Sequence, residues 1–334
     1  MISGRAMAVH CEVSRIPFGS LPSPPETHAV SENPVKFGHF EILSKLGEGG
    51  MAEVFEARFT EGRLQGRRVA LKRILPRFSR DADYIYLFAR EAELYKQLSH
   101  PNIVQLLEVG LVDDLHYMAM DLVDGRDLGQ LLRRCKQKDI RLPADFAVYL
   151  VKTLLEALAY AHGAVGSNGK PLGIVHCDVS PSNLFISRLG DIKLGDFGVA
   201  RARRGHTPSV NMMGKQHYLS PELLDGEATV DADLWAATVM LYELLTLSRP
   251  FSGNTPEELS QNIKKRRYRP LAELAPGLPP GLAAAVDRGF AQDRAHRFRS
   301  ASQYAKVLAP LYDERVGTPL AIAALVRGLF GAEG

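Results

Sequence analysis

Apolar residues recur along this chain with two different periods, and the change between them divides it. From Phe40 to Arg58 the pattern reads as strand, glycine turn, strand, and Val69-Ala70-Leu71-Lys72 reads as a short apolar strand ending in one amine. From Asp81 to Leu98 the spacing is helical, with Tyr84, Leu87, Phe88, Leu94, Tyr95 and Leu98 in one stripe. Glu91 falls inside that stripe, midway between Tyr84 and Leu98, whereas Glu93 lies about 200° around the helix from it. Beyond about Met120 helices take over. Leu142 to His162 carries Leu150, Leu154, Ala157, Leu158 and Ala161 on one face. Thr255-Pro256-Glu257-Glu258 and Ser300-Ala301-Ser302-Gln303 are helix starts, each with a capping hydroxyl and a polar partner at N3, the first adding proline at N1. Between Thr318 and Phe330, Leu320, Ile322, Leu325, Val326, Leu329 and Phe330 mostly share one face, which predicts a last helix docked on the helical part of the chain.

Composition refines this outline. Residues 1–37 hold five prolines and many small polar residues, too little apolar surface to fold alone, so a flexible tail is expected, with Met7 as an alternative start. The Gly-rich stretch from Gly163 to Gly173 reads as a surface loop. The remainder, in a chain of 334 residues that is 46% hydrophobic and 24% charged, can fill two sizeable cores. A formal charge of +3 is too weak and scattered to argue for nucleic acid. Its densest clusters are Arg201, Arg203 and Arg204, and Lys264 to Arg267, the latter at a helix end where cations complement the dipole. Cys11, Cys135 and Cys177 are widely separated, which suggests neither disulfides nor a zinc site and fits a reducing cytoplasm. No window reaches the roughly 18 apolar residues of a membrane span, and the start lacks the apolar segment of a signal peptide.

The chemistry is concentrated in His176-Cys177-Asp178-Val179-Ser180-Pro181-Ser182-Asn183, followed by Asp196-Phe197-Gly198. Phosphoryl transfer needs a carboxylate to orient the attacking hydroxyl and oxygen ligands to hold magnesium between the phosphates. Asp178 suits the first role, Asn183 and Asp196 the second. Upstream, Leu46-Gly47-Glu48-Gly49-Gly50-Met51-Ala52-Glu53-Val54 is a turn whose glycines let backbone amides approach phosphate oxygens. Lys72 can pair with phosphate, and Glu91, on an inward helix face, needs a cation that Lys72 can supply. Downstream stand Ser220-Pro221-Glu222 and Asp231-Ala232-Asp233-Leu234-Trp235.

These motifs, in this order from about Phe40 to Leu311, resemble the eukaryotic-type protein kinases, and more closely their bacterial Ser/Thr branch. The resemblance implies an α+β bilobal fold in residues 38–312. A β-rich small lobe with one regulatory helix would occupy 38–120 and a mainly helical large lobe 124–312, leaving 313–334 as a helical extension. It implies ATP and Mg2+ as cofactors and protein substrates, with self-association for autophosphorylation. Val54 and Ala70 look like the roof over the adenine and Leu184 its floor. Met120 looks like the gate at the back of the pocket, Asp121, Leu122 and Val123 the hinge, and Asp127 a ribose contact. Glu222 and Arg297 resemble the family's buried ion pair, and Asp233 the residue that bonds the catalytic-loop backbone.

The departures from the family pattern are informative. Ala52 replaces the third glycine. Cys177 replaces the arginine that clamps a phosphorylated activation loop, which puts control through Thr207 or Ser209 in doubt. Ser180 stands where Ser/Thr kinases place a lysine that neutralises the transferring phosphoryl group, and Lys215 stands where they have threonine. The paired change leads to the expectation that Lys215 delivers its ammonium to the space Ser180 leaves open. The function expected is Ser/Thr protein phosphorylation; the alternative is a pseudokinase, a nucleotide-binding scaffold, because of Ser180.

Overall fold

The computed structural model describes residues 35–197 and 214–331. The tail expected before residue 35 lies outside them, as do Gly198, Thr207, Ser209 and the cluster Arg201, Arg203 and Arg204.

A six-stranded antiparallel sheet forms from β1 (Val35–Phe37), β2 (Phe40–Glu48), β3 (Ala52–Phe59), β4 (Arg68–Ile74), β5 (Leu106–Val112) and β6 (Leu115–Asp121), in the order β1-β2-β3-β4-β6-β5. Strand β1 lies inside the stretch read as tail: Phe37 sits opposite Phe40 and is buried with Phe59, Val69, Leu71 and Tyr117, so three apparently polar-tail residues belong to the sheet. Between β4 and β5 runs α1 (Ala82–Lys96), capped by Asp81, whose carboxylate accepts from the Asp83 and Tyr84 amides. Its apolar stripe turns Leu87, Phe88, Ala92 and Tyr95 inward, and Glu91 with them.

The large lobe opens with β7 (Gly125–Asp127), α2 (Leu128–Lys138) and α3 (Ala144–His162), followed by the hairpin β8 (Leu184–Ser187) and β9 (Ile192–Leu194). Strands β7, β8 and β9 form a second small sheet. Helices α4 (Pro221–Leu224), α5 (Val230–Thr246), α6 (Pro256–Lys264), α7 (Leu271–Leu274), α8 (Pro280–Gly289), α9 (Ala301–Leu308) and α10 (Pro319–Phe330) complete it. The Thr255 and Ser300 hydroxyls accept from the N3 amides of α6 and α9, as their sequence signatures predict. Helix α5 is buried nearly all round, packed on α3 and α8 with Trp235, Val239 and Tyr242 in the core.

Helix α10 docks on α2. It buries Ile322, Ala323, Val326 and Leu329, and the Leu329 carbonyl accepts from Arg134 Nε at 3.1 Å and Lys138 Nζ at 3.3 Å. Its start passes so close to the β8–β9 turn that a Cβ on Gly190 would lie 1.8 Å from the Pro319 oxygen; only glycine fits there.

Candidate active site

The β8–β9 hairpin explains why residues 13 apart in sequence meet. Asn183 immediately precedes β8 and Asp196 follows β9, and pairing of Leu184 with Leu194 brings them together; the Gly195 amide donates to the Asn183 carbonyl at 2.9 Å. Upstream, Pro181–Asn183 forms one 3-10 turn, which folds the Asn183 amide back so that Nδ2 donates to the Asp178 carbonyl at 2.8 Å and to Asp178 Oδ2 at 3.0 Å.

The loop carrying Asp178 is anchored from α5. Asp233, 1% exposed, accepts from the His176 amide at 2.8 Å and the Cys177 amide at 2.9 Å. Cys177 and Asp196 both adopt left-handed backbone conformations, with φ of 60° and 52°. Non-glycine residues held there cost on the order of 1–3 kcal/mol each and persist only where their surroundings impose them. Asp233 imposes the first; the ion pair of Asp196 with Lys72 contributes to the second.

His176 is fully buried between these anchors. Its Nε2 donates to the Gly195 carbonyl at 3.0 Å, while Nδ1 accepts from the Asp178 amide at 3.2 Å. One ring nitrogen must therefore be bare, so the imidazole is neutral, and burial pulls its pKa below the ordinary value. The unfolded chain takes up this proton more readily than the folded one. The resulting stability is present above about pH 6.5, the unfolded value, and is lost as pH falls toward the lower folded value. A plot of melting temperature against pH is expected to slope less steeply between about pH 5 and 7 in His176→Gln than in wild type; parallel slopes would contradict the assignment.

Across the cleft, Lys72 Nζ lies 2.6 Å from Glu91 Oε1 and 3.1 Å from Asp196 Oδ1. Burial works against the Lys72 ammonium, but the Glu91 and Asp196 carboxylates outweigh it and raise its pKa; Lys72 in turn holds Asp196 below the usual carboxylate range. Burial pushes Glu91 up despite Lys72. Phe197 packs beneath, edge-on to Tyr95 of α1 and against His176, which ties the helix carrying Glu91 to the loop carrying Asp178.

The glycine turn between β2 and β3 is laced on its outer side. Glu48 and Glu53 both pair with Lys45, at 2.6 and 3.2 Å, and Glu53 also with Arg73 at 2.7 Å. Their side chains are thus engaged by lysine and arginine, and what Leu46 to Val54 has to offer a phosphate is backbone, with Gly49 and Ala52 closing the turn through one hydrogen bond. Strand register sets Val54 opposite Lys72 and Ala70 opposite Met120, while Leu184 is buried at the start of β8. The Asp121 amide is taken by the Gln105 carbonyl and its carboxylate by Arg67. Asp127 caps α2 in a reciprocal pair with Gln130. Asn183 and Asp196 present amide and carboxylate oxygens, the hard donors magnesium takes together with phosphate oxygens, so the residues fit that ion.

Lys215 enters from the far side. Its Nζ lies 2.8 Å from Asp178 Oδ2 and 3.2 Å from Asn183 Oδ1. Ser180, 2% exposed, shares a hydrogen bond between its hydroxyl and that of Ser182.

Sequence reasoning missed three contributors. His162 Nε2 meets Asp233 at 2.8 Å, Glu243 receives the Tyr218 phenol and Lys136, and Gln105 holds the strand end at Asp121. Only Glu243 left a signal, as the one charge interrupting an otherwise apolar run from Leu234 to Leu247.

This geometry agrees with known proteins. The family profile described as "Protein kinase domain" matches residues 40–300. The chain belongs to the protein kinase family. Among curated kinases, it is 33% identical over 302 residues to tyrosine-protein kinase MasK of Myxococcus xanthus, covering 89% of this chain and 47% of that one. It is 31% identical over 281 residues to serine/threonine-protein kinase PrkC of Bacillus subtilis, covering 83% and 41%. The chain thus spans less than half the length of these relatives. The crystal structure of the Mycobacterium tuberculosis PknI kinase domain superposes with a TM-score of 0.62 at 26% identity, covering 85% of this chain and 99% of that one. The fold is the protein kinase fold, a β-sheet small lobe over a helical large lobe, and the family generally uses ATP and Mg2+.

Proposed function

We propose that this chain is an active protein kinase that transfers the ATP γ-phosphate, with magnesium, to serine or threonine hydroxyls of proteins. The observation that carries the proposal is the closed Lys72–Glu91 pair, at 2.6 Å, with Asp196 joined to the same ammonium. Phosphoryl transfer on this fold needs the lysine–glutamate pair closed and the aspartate positioned to take magnesium. Lys72 would hold the phosphates, Asn183 and Asp196 the magnesium, and Asp178 would orient the attacking hydroxyl and receive its proton. Magnesium, when bound, neutralises charge on the phosphates.

Serine/threonine preference is supported by the names of relatives such as PrkC and the Lactococcus lactis PknB, against the tyrosine kinase name of MasK. The pseudokinase alternative rested on Ser180 alone, and no further observation favours it. Among the described residues no helix is long and apolar enough to cross a membrane. Work in the cytoplasm and self-association for autophosphorylation belong to the same proposal.

The test is incubation with radiolabelled ATP and magnesium beside Asp178→Asn, followed by phosphoamino-acid analysis. Label on serine or threonine, absent from the variant, is the expected result. Label on tyrosine would overturn the preference; ADP-binding without any transfer would overturn the activity.

A further inference from the structure

Ser180 leaves the loop of Asp178 without a cation of its own, yet a carboxylate beside an incoming phosphoryl group is repulsive unless a positive charge stands close to both. The Lys215 ammonium lies against Asp178 Oδ2, at 2.8 Å. It is 30% exposed and reaches Asn183 as well, so it spans the gap between the proton acceptor and the magnesium ligands. Its electrostatic reach extends to Asp196.

The backbone holds it there. Lys215 begins a 3-10 turn, Lys215–Tyr218, entered through Gly214 at φ 93°, a conformation that strains any residue with a Cβ. At its far end the Tyr218 phenol is bonded to buried Glu243, His217 Nδ1 donates to the Phe251 carbonyl at 3.0 Å, and Ser220 caps α4. The turn is thus fixed to α5 and to the chain before α6, and the lysine is carried by a segment separate from the loop it serves.

We infer that Lys215 is the catalytic cation of phosphoryl transfer, supplied by the segment leading into α4 instead of by the loop of Asp178. The inference rests on the kinase reading. In the step, the substrate hydroxyl oxygen bonds to the γ-phosphorus while the bond from that phosphorus to the bridging oxygen breaks, its electron pair leaving with ADP. The hydroxyl proton passes to Asp178. Lys215 keeps all its protons, exchanges its bond to Asn183 for a non-bridging oxygen of the γ-phosphoryl group, and neutralises charge there. Since the cation travels with the Lys215–Tyr218 turn, the site is complete only when that turn is seated.

The experiment compares wild type, Lys215→Ala, Lys215→Thr and Ser180→Lys/Lys215→Thr. It measures initial rates of γ-phosphate transfer to a degenerate peptide mixture, KM for ATP, and affinity for a fluorescent ADP. Lys215→Ala is expected to lower kcat by about 10²-fold, the scale of one electrostatic contact to a transition state, with nucleotide affinity nearly unchanged. Ser180→Lys/Lys215→Thr is expected to recover about tenfold over Lys215→Thr, since the charge returns from the other side; a purely structural lysine would not be rescued this way. A kcat for Lys215→Ala within about threefold of wild type, a free-energy effect below RT ln 3, would overturn the inference. So would the absence of rescue in a double variant that melts like wild type and binds ADP. Wild-type transfer lost in Asp178→Asn establishes the kinase reading whatever Lys215 does; a silent wild type would fell that reading first and the inference with it.

Discussion

Replacing Lys72 with methionine is expected to lower the rate of phosphoryl transfer by about 10²- to 10³-fold, with a smaller loss of fold stability. Two separate roles end together in this variant. The ammonium that would meet the phosphates disappears, and so does the partner of two carboxylates, Glu91 at 2.6 Å and Asp196 at 3.1 Å. An uncompensated buried carboxylate is costly, and since burial already pushes the pKa of Glu91 up, loss of Lys72 further favours its neutral form. Lys72→Met/Glu91→Leu is therefore expected to melt above Lys72→Met while staying as inactive, since apolar side chains pack where the acid stood. Thermal melts and initial rates on the three proteins check this; a double variant less stable than the single one would contradict it.

The same reasoning predicts a different outcome at Arg297. Its guanidinium faces Glu222 with Nη1 at 3.0 and 3.1 Å from the two carboxylate oxygens, and both side chains are only 5% exposed. Nε donates to the Ala291 carbonyl, and the guanidinium lies 4.8 Å over the Trp235 ring. Arg297→Ala removes a charge, a stacking surface and a hydrogen bond at once and leaves Glu222 buried. The expected cost is about 3–5 kcal/mol of unfolding free energy, measured by urea denaturation. Arg297→Met/Glu222→Leu should recover most of it, because the pair contributes less net stability than its breakage costs. Since Glu222 lies one turn beyond the segment carrying Lys215, Arg297→Ala should also lower activity at temperatures where the protein remains folded.

Much of the site was legible because its chemistry is local in sequence. The interval between Asp178 and Asn183 is one tight turn, the interval to Asp196 is one hairpin, and the glycine turn is flanked by two paired strands. Glu91 was readable for a different reason: a helix has a fixed period, so a carboxylate in phase with Tyr84, Leu87 and Tyr95 must face inward and find a cation. Where periodicity was absent the reading failed. Strand β1 was read as tail from the composition of residues 1–37, since three residues are too few to carry a period, and only pairing with β2 makes them part of the sheet. His162 carries no pattern pointing to Asp233, since their contact crosses between α3 and α5.

By itself, then, the sequence determined the order of elements, the inward faces of the helices and which candidate phosphoryl-transfer groups lie close together, because these depend on spacing along one strand, turn or helix. Only the tertiary structure decided what meets across elements. It set Asp233 against the His176 and Cys177 amides, docked α10 beside Gly190, and brought the Lys215 ammonium to Asp178 from 37 residues away. Such contacts are products of packing between elements, where the shape of the whole core fixes which side chain arrives, and no local period along the chain encodes that.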